Sequence, residues 1–101
     1  MHSYYAIALQ TTVHAVNGCS TRDEARSVMD STLERLKVEI FAAKKFVGSD
    51  VRLVVLPEYF LTAYPMGDTI KGWADKAALL EDGPEYAKLG EIAKDLSLIH
   101  I

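Results

Sequence analysis

Val51-Arg52-Leu53-Val54-Val55-Leu56-Pro57-Glu58 is the stretch on which the fold of this chain turns. A nearly continuous apolar run rich in β-branched residues suits a strand buried on both faces, and Pro57 closes it because proline has no amide hydrogen for a ladder. Upstream, Tyr4-Tyr5-Ala6-Ile7-Ala8-Leu9 is a second run of this kind and reads as the first strand. Between the two, the pattern predicts one long helix over 21–47. Thr21 and Glu24 form a capping box, and apolar residues recur at Ala25, Val28, Met29, Leu33, Leu36, Ile40, Ala43 and Val47 before Gly48 stops the helix. On its charged face, Glu34 with Lys37 and Arg35 with Glu39 are spaced to pair across turns. Strand, helix, strand is a βαβ unit, which implies parallel strands and a right-handed crossover. The expected fold class is α/β.

Further along, 58–83 reads as an irregular, aromatic-rich loop with a short helix near 69–78, and loops of this size commonly carry function. Gly83-Pro84-Glu85 opens a last helix, with Tyr86, Leu89, Ile92 and Ala93 on one face. Leu96 to Ile101 reads as a third strand. No repeat, low-complexity tract or linker divides 1–101.

With 50% hydrophobic and 25% charged residues in 101, the composition is that of one globular unit. Its apolar runs fall well short of the roughly 18 to 20 residues that a membrane helix needs, so no membrane partner is expected. The start lacks the basic region of a secretory signal, which makes the cytoplasm the expected compartment. A lone Cys19 excludes an internal disulfide and a multi-thiolate metal site, in keeping with a reducing environment. Net charge is −3, and the only adjacent basic pair is Lys44-Lys45, so nucleic acid is not an expected partner.

Ligands of open α/β sheets bind beyond the carboxyl ends of the strands, which is where Glu58 stands. A carboxylate held on a rigid Pro-Glu segment and partly desolvated is suited to general-base work, because burial raises a carboxyl pKa toward working pH. The competing account is a solvated acid at a strand end. Tyr59 and Tyr64 follow Glu58 and are the expected substrate-pocket residues, although any one of Tyr59, Phe60, Tyr64 and Trp73 is more readily explained by packing under the loop. Cys19 precedes a helix N-terminus, where a thiol is activated, but no motif fixes a histidine near it. His2, His14 and His100 lack metal-ligand spacing, and the glycines form neither a dinucleotide fingerprint nor a phosphate loop. No metal or organic cofactor is expected.

At Leu56-Pro57-Glu58-Tyr59-Phe60-Leu61-Thr62-Ala63-Tyr64-Pro65 the chain resembles the nitrilase superfamily of carbon–nitrogen hydrolases. A first strand ending in Gln10, a long helix leading to Val51–Leu56, and Asp82-Gly83-Pro84 before a helix ending near Ala93-Lys94 agree with that family in kind and order. The resemblance covers most of this chain but only about the first third of a family domain, and its specificity rests on Leu-Pro-Glu within that frame. One departure is Ala63, where many relatives carry glycine before the tyrosine.

The resemblance implies the amino-terminal part of an α-β-β-α sandwich, with 1–101 an incomplete domain. It implies that Glu58 is the general base of a Glu-Lys-Cys triad acting on a non-peptide amide or nitrile, in a parent that is cytoplasmic and homo-oligomeric. The triad's lysine and cysteine would lie beyond this sequence, and the chain as it stands is expected to be inert. Cys19 is no substitute, because it precedes the second strand whereas the family nucleophile follows a later one. Leu96-Ser97-Leu98-Ile99-His100-Ile101 is also what a transposon-end adapter would encode, so 96–101 is read either as a natural strand or as sequence foreign to the parent. Two other classes compete: a non-catalytic α/β binding or interaction module, and a flavodoxin-like or other doubly wound domain. The latter needs a phosphate-binding turn after the first strand, for which only Asn17-Gly18 is on offer.

Overall fold

A computed structural model describes residues 3–98. Its elements run β1 (Tyr5–Ala8), α1 (Arg22–Val47), β2 (Val51–Val55), α2 (Ile70–Ala77) and α3 (Pro84–Asp95). The two strands pair in parallel, as a strand–helix–strand unit requires, so the α/β class stands. Tyr5 lies opposite Val51, and after one irregularity Ala6, Ile7 and Ala8 lie opposite Leu53, Val54 and Val55.

The strands are less buried than expected. Val51 is fully buried and Leu53 and Val54 are half-buried, but Tyr5 is 59% and Val55 53% exposed. A two-stranded sheet needs a layer on each face to bury both sets of side chains, and the described residues supply such cover only in part. The tight core instead lies among the helices and the long loop: Val16, Ala25, Met29, Leu33, Leu36, Ile40, Leu61, Ala77 and Ile92 form one cluster.

Helix α1 dominates the molecule. At about 1.5 Å per residue its 26 residues span roughly 39 Å, close to the 45 Å long dimension. Thr21 caps it, its hydroxyl accepting from the Glu24 amide at 3.2 Å. The reciprocal bond of the capping box lands one residue early, the Glu24 carboxylate accepting from the Ser20 amide at 2.8 Å. Gly48 ends the helix at φ 136°, its amide donating to the Lys44 carbonyl at 2.8 Å. Of the expected stripe, Ala25, Met29, Leu33, Leu36 and Ile40 are buried, and Val47 at the carboxyl end is exposed.

Packing of α3 beside α1 redirects the charge pairs. Arg35 and Glu39 pair at 2.8 Å as their spacing predicts. Glu34 and Lys37 do not pair with each other: Glu34 meets Lys88 of α3 at 2.5 Å, and Lys37 meets Asp95 at 3.6 Å. A neighbouring helix offers opposite charges that compete with the weak pairs along a single helix.

Helix α2 falls where a short helix near 69–78 is expected, capped by Thr69, whose hydroxyl accepts from the Gly72 amide at 3.0 Å. Its carboxyl end is held from α1: the Arg22 guanidinium donates to the carbonyls of Asp75 at 3.0 Å and Ala78 at 2.5 Å, groups that a helix end leaves without partners. Helix α3 begins with Gly83 as cap and Pro84 in its first turn. Its Glu85 is buried and faces Arg26 at 3.6 Å.

The third strand over 96–101 does not form at its described residues. Leu96, Ser97 and Leu98 instead close α3 in a Schellman motif, with Ser97 in the left-handed region at φ 54°. The Ser97 amide donates to Lys94 at 3.2 Å and the Leu98 amide to Ala93 at 2.7 Å, and Leu98 packs on the core. The Lys44 ammonium donates to the Leu96 carbonyl, tying this end to α1. These carbonyls need partners at a helix end, and the cap supplies them before a strand can begin. Ile99, His100 and Ile101 lie outside the described residues.

Candidate active site

Parallel pairing sends the carboxyl ends of β1 and β2 to the same side, so the segment after β1 (9–21) and the segment after β2 (56–69) emerge together. They are stitched to each other. The Leu9 amide donates to Val55 at 2.9 Å, the Val16 amide to the Thr62 carbonyl at 3.1 Å, and the Asn17 side-chain amide to the Tyr64 carbonyl at 2.7 Å. Val16 and Leu61 are buried beneath this junction.

Glu58 rides on a tight turn built by Pro57. The Phe60 amide donates to the Pro57 carbonyl at 3.2 Å, and the Thr62 and Ala63 amides donate to the Tyr59 carbonyl at 3.3 and 2.9 Å. Tyr59 (φ 55°) and Ala63 (φ 65°) both occupy the left-handed region, which disfavours a side-chain-bearing residue by about 1–2 kcal/mol. The turn persists because Phe60 and Leu61 pack inward from it.

The Glu58 carboxylate is exposed and makes no hydrogen bond or ion pair to the described residues. The partial desolvation expected from the sequence is therefore absent here. Its neighbours Leu56 and Phe60 take the inward direction and line an apolar cleft of about 250 Å³ with Ile40, Leu53, Tyr86 and Ile92, and Glu58 stands outside it. Tyr59 and Tyr64 also face outward. Their ring centroids are 4.6 Å apart at 49°, so the two expected pocket residues pack on each other beside Glu58. Phe60 and Trp73 pack against the core instead.

Cys19 is half-buried against the core, its amide donating to Val16 at 3.0 Å, in the same segment that is bonded to the Glu58 turn. His14 is exposed beside Val28, Thr32 and Arg35, and His2 and His100 lie outside the described residues. Among the described residues, no group of three or more His, Cys, Asp or Glu side chains is placed to hold a metal ion. No helix among them is long and apolar enough to cross a membrane.

Sequence reasoning passed over Lys76 and Asp68, and weighed Asn17 only as part of a turn. The Lys76 side chain is only 9% exposed; its ammonium donates to the Asn17 carbonyl at 3.1 Å and the Asp68 carboxylate at 3.4 Å, and sits 5.4 Å from the Trp73 ring centroid. One signal was legible: Trp73 and Lys76 stand three apart, the spacing at which side chains on a helix meet. Asn17 looked like no more than a turn residue, because its partners lie far off in sequence.

What the fold and site define is an α/β chain with an acidic residue fixed at the carboxyl end of a parallel strand. No protein-family model, curated protein or solved structure matches the chain.

Proposed function

We propose that this chain is the amino-terminal part of a carbon–nitrogen hydrolase of the nitrilase superfamily, with Glu58 its general base. The observation that carries the reading is Glu58 itself, held on a Pro57-built turn at the carboxyl end of a parallel strand in a βαβ unit. The backbone at Ala63 adds support. Its φ of 65° is a conformation that favours glycine, the residue that many relatives carry there although this chain departs from them.

In this reading Glu58 takes the proton of a cysteine thiol, and the thiolate attacks the carbon of an amide or nitrile. A lysine stabilises the charge that develops on the tetrahedral intermediate. That lysine and cysteine belong to sequence beyond Ile101. The remaining layers of an α-β-β-α sandwich would cover the exposed strand face and this end of the sheet, supplying the desolvation that Glu58 lacks here. Tyr59 and Tyr64 would wall the substrate pocket. The parent is cytoplasmic and homo-oligomeric, and its thiol chemistry needs no metal or organic cofactor.

The test is a chain extended to carry the triad. Such a chain hydrolyses simple amides or nitriles, and Glu58→Gln slows it by at least about 10²-fold, the low end for loss of a general base. Activity that survives Glu58→Gln overturns the assignment, as does cysteine-dependent hydrolysis by the 101-residue chain alone. A second reading, a non-catalytic α/β binding or interaction module, draws on the exposure of Glu58 and its place outside the apolar cleft. It predicts no hydrolysis in either chain.

A further inference from the structure

We infer that Lys76 is the positioning residue of the Glu58 turn, an inference that deepens the proposed function and rests on it. The links are continuous. Lys76 grips the Asn17 carbonyl at 3.1 Å, the Asn17 side chain holds the Tyr64 carbonyl at 2.7 Å, and the Tyr64 ring packs at 4.6 Å on Tyr59, the residue after Glu58.

A buried ammonium is an expensive way to fill space. Apolar burial would stabilise α2 without the desolvation cost, so what a lysine adds here is direction. Its partners come from different parts of the chain: Asn17 from the segment after β1, Asp68 from the stretch before α2, and Trp73 from α2 itself. Hydrogen bonds and a cation–π contact satisfy the charge only in one arrangement of those segments, whereas apolar contacts tolerate many. Arg22 already anchors the carboxyl end of α2 to α1, so the helix has its own attachment and Lys76 is free to act on Asn17.

Amide hydrogen exchange and ring-proton shifts of the 101-residue chain test this without any turnover. In Lys76→Met, which keeps the alkyl stem, the Val16 amide and the Asn17 side-chain amide exchange at least about tenfold faster, the scale of one lost charge-assisted hydrogen bond. The Tyr59 and Tyr64 ring shifts move toward free values, and α1 amides such as Leu33 keep their protection. Lys76→Arg, which restores charge and donors, brings the Val16 and Asn17 amides back toward wild type. Unchanged exchange and ring shifts in a folded Lys76→Met overturn the inference. Should that variant fail to fold, Asn17→Ser decides, since it keeps the gripped carbonyl but removes the amide that reaches Tyr64: displaced tyrosine rings support the relay, and unmoved rings overturn it. In a triad-bearing chain, Lys76→Met lowers kcat, and Lys76→Arg restores it; a kcat equal to wild type in Lys76→Met overturns a positioning role. If the exchange results hold while Glu58→Gln leaves hydrolysis intact, it is the catalytic reading that fails.

Discussion

Asn17 and Tyr64 are joined by a 2.7 Å hydrogen bond from side-chain amide to main-chain carbonyl, across 47 positions of sequence. Together with the Val16–Thr62 bond it makes the segments that follow β1 and β2 one body. Replacing Asn17 by Ala should therefore cost about 1 kcal/mol, the usual net worth of one such bond. Urea unfolding measures the loss, and a midpoint equal to wild type would show that the junction holds without it.

Ala63 sits at φ 65°, where a methyl group crowds the backbone. Ala63→Gly should raise stability by up to about 1 kcal/mol, the relief of that strain outweighing the extra freedom glycine has in the unfolded chain. Ala63→Val should do the reverse. Thermal unfolding of the pair gives the ordering, and a glycine variant no more stable than wild type would mean that the turn bears no strain at this residue.

Ser97 poses the same question at a helix end. It holds the left-handed position of the Schellman motif that closes α3, a place usually taken by glycine. Ser97→Gly should stabilise the chain by roughly 0.5–1 kcal/mol and increase the exchange protection of the Leu98 amide. Equal protection in the two proteins would count against the motif.

Lys88 lies between Asp30 at 2.6 Å and Glu34 at 2.5 Å. Hydrogen bonds to Asp30 first and Glu34 second raise its pKa above the ordinary lysine value. A raised pKa means the folded chain holds this proton more tightly than the unfolded one. The stabilisation is thus fully present below the unfolded lysine pKa of about 10.4 and fades as pH climbs through the higher folded value. Because both carboxylates are largely exposed and screened, Lys88→Met should cost only about 0.5–1 kcal/mol at neutral pH. The gap between the two proteins should narrow above about pH 10.4. A gap that stays constant up to strongly alkaline pH would show that the charge contributes nothing.

How much of this was legible from residues alone follows the range of the forces involved. Helix α1 was readable because Thr21, the apolar stripe and Gly48 are local signals that agree, and the same holds for Thr69 at the start of α2 and Pro84 at the start of α3. The strand pair was readable because its hydrophobic runs flank a helix. Burial of those strands was not, since it depends on how many layers cover the sheet. The partners of Glu34 and Lys37 were misjudged for a related reason: the charges of α3 lie more than 50 positions away from Glu34 and Lys37 and reach them only after the helices pack.

The sequence by itself determined the order of the elements from β1 to α3, their caps and the placing of Glu58 just past the end of a parallel strand, because each follows from neighbouring residues and from continuous apolar runs and helical apolar stripes. Only the tertiary structure decided that Glu58 points to solvent while Leu56 and Phe60 point inward, that Ser97 closes a helix instead of entering a strand, and that a buried Lys76 reaches the loop after β1. These outcomes depend on distances between segments remote in sequence. A hydrogen bond of about 3 Å is specified by where packing brings its two ends together, and local pattern carries no record of that.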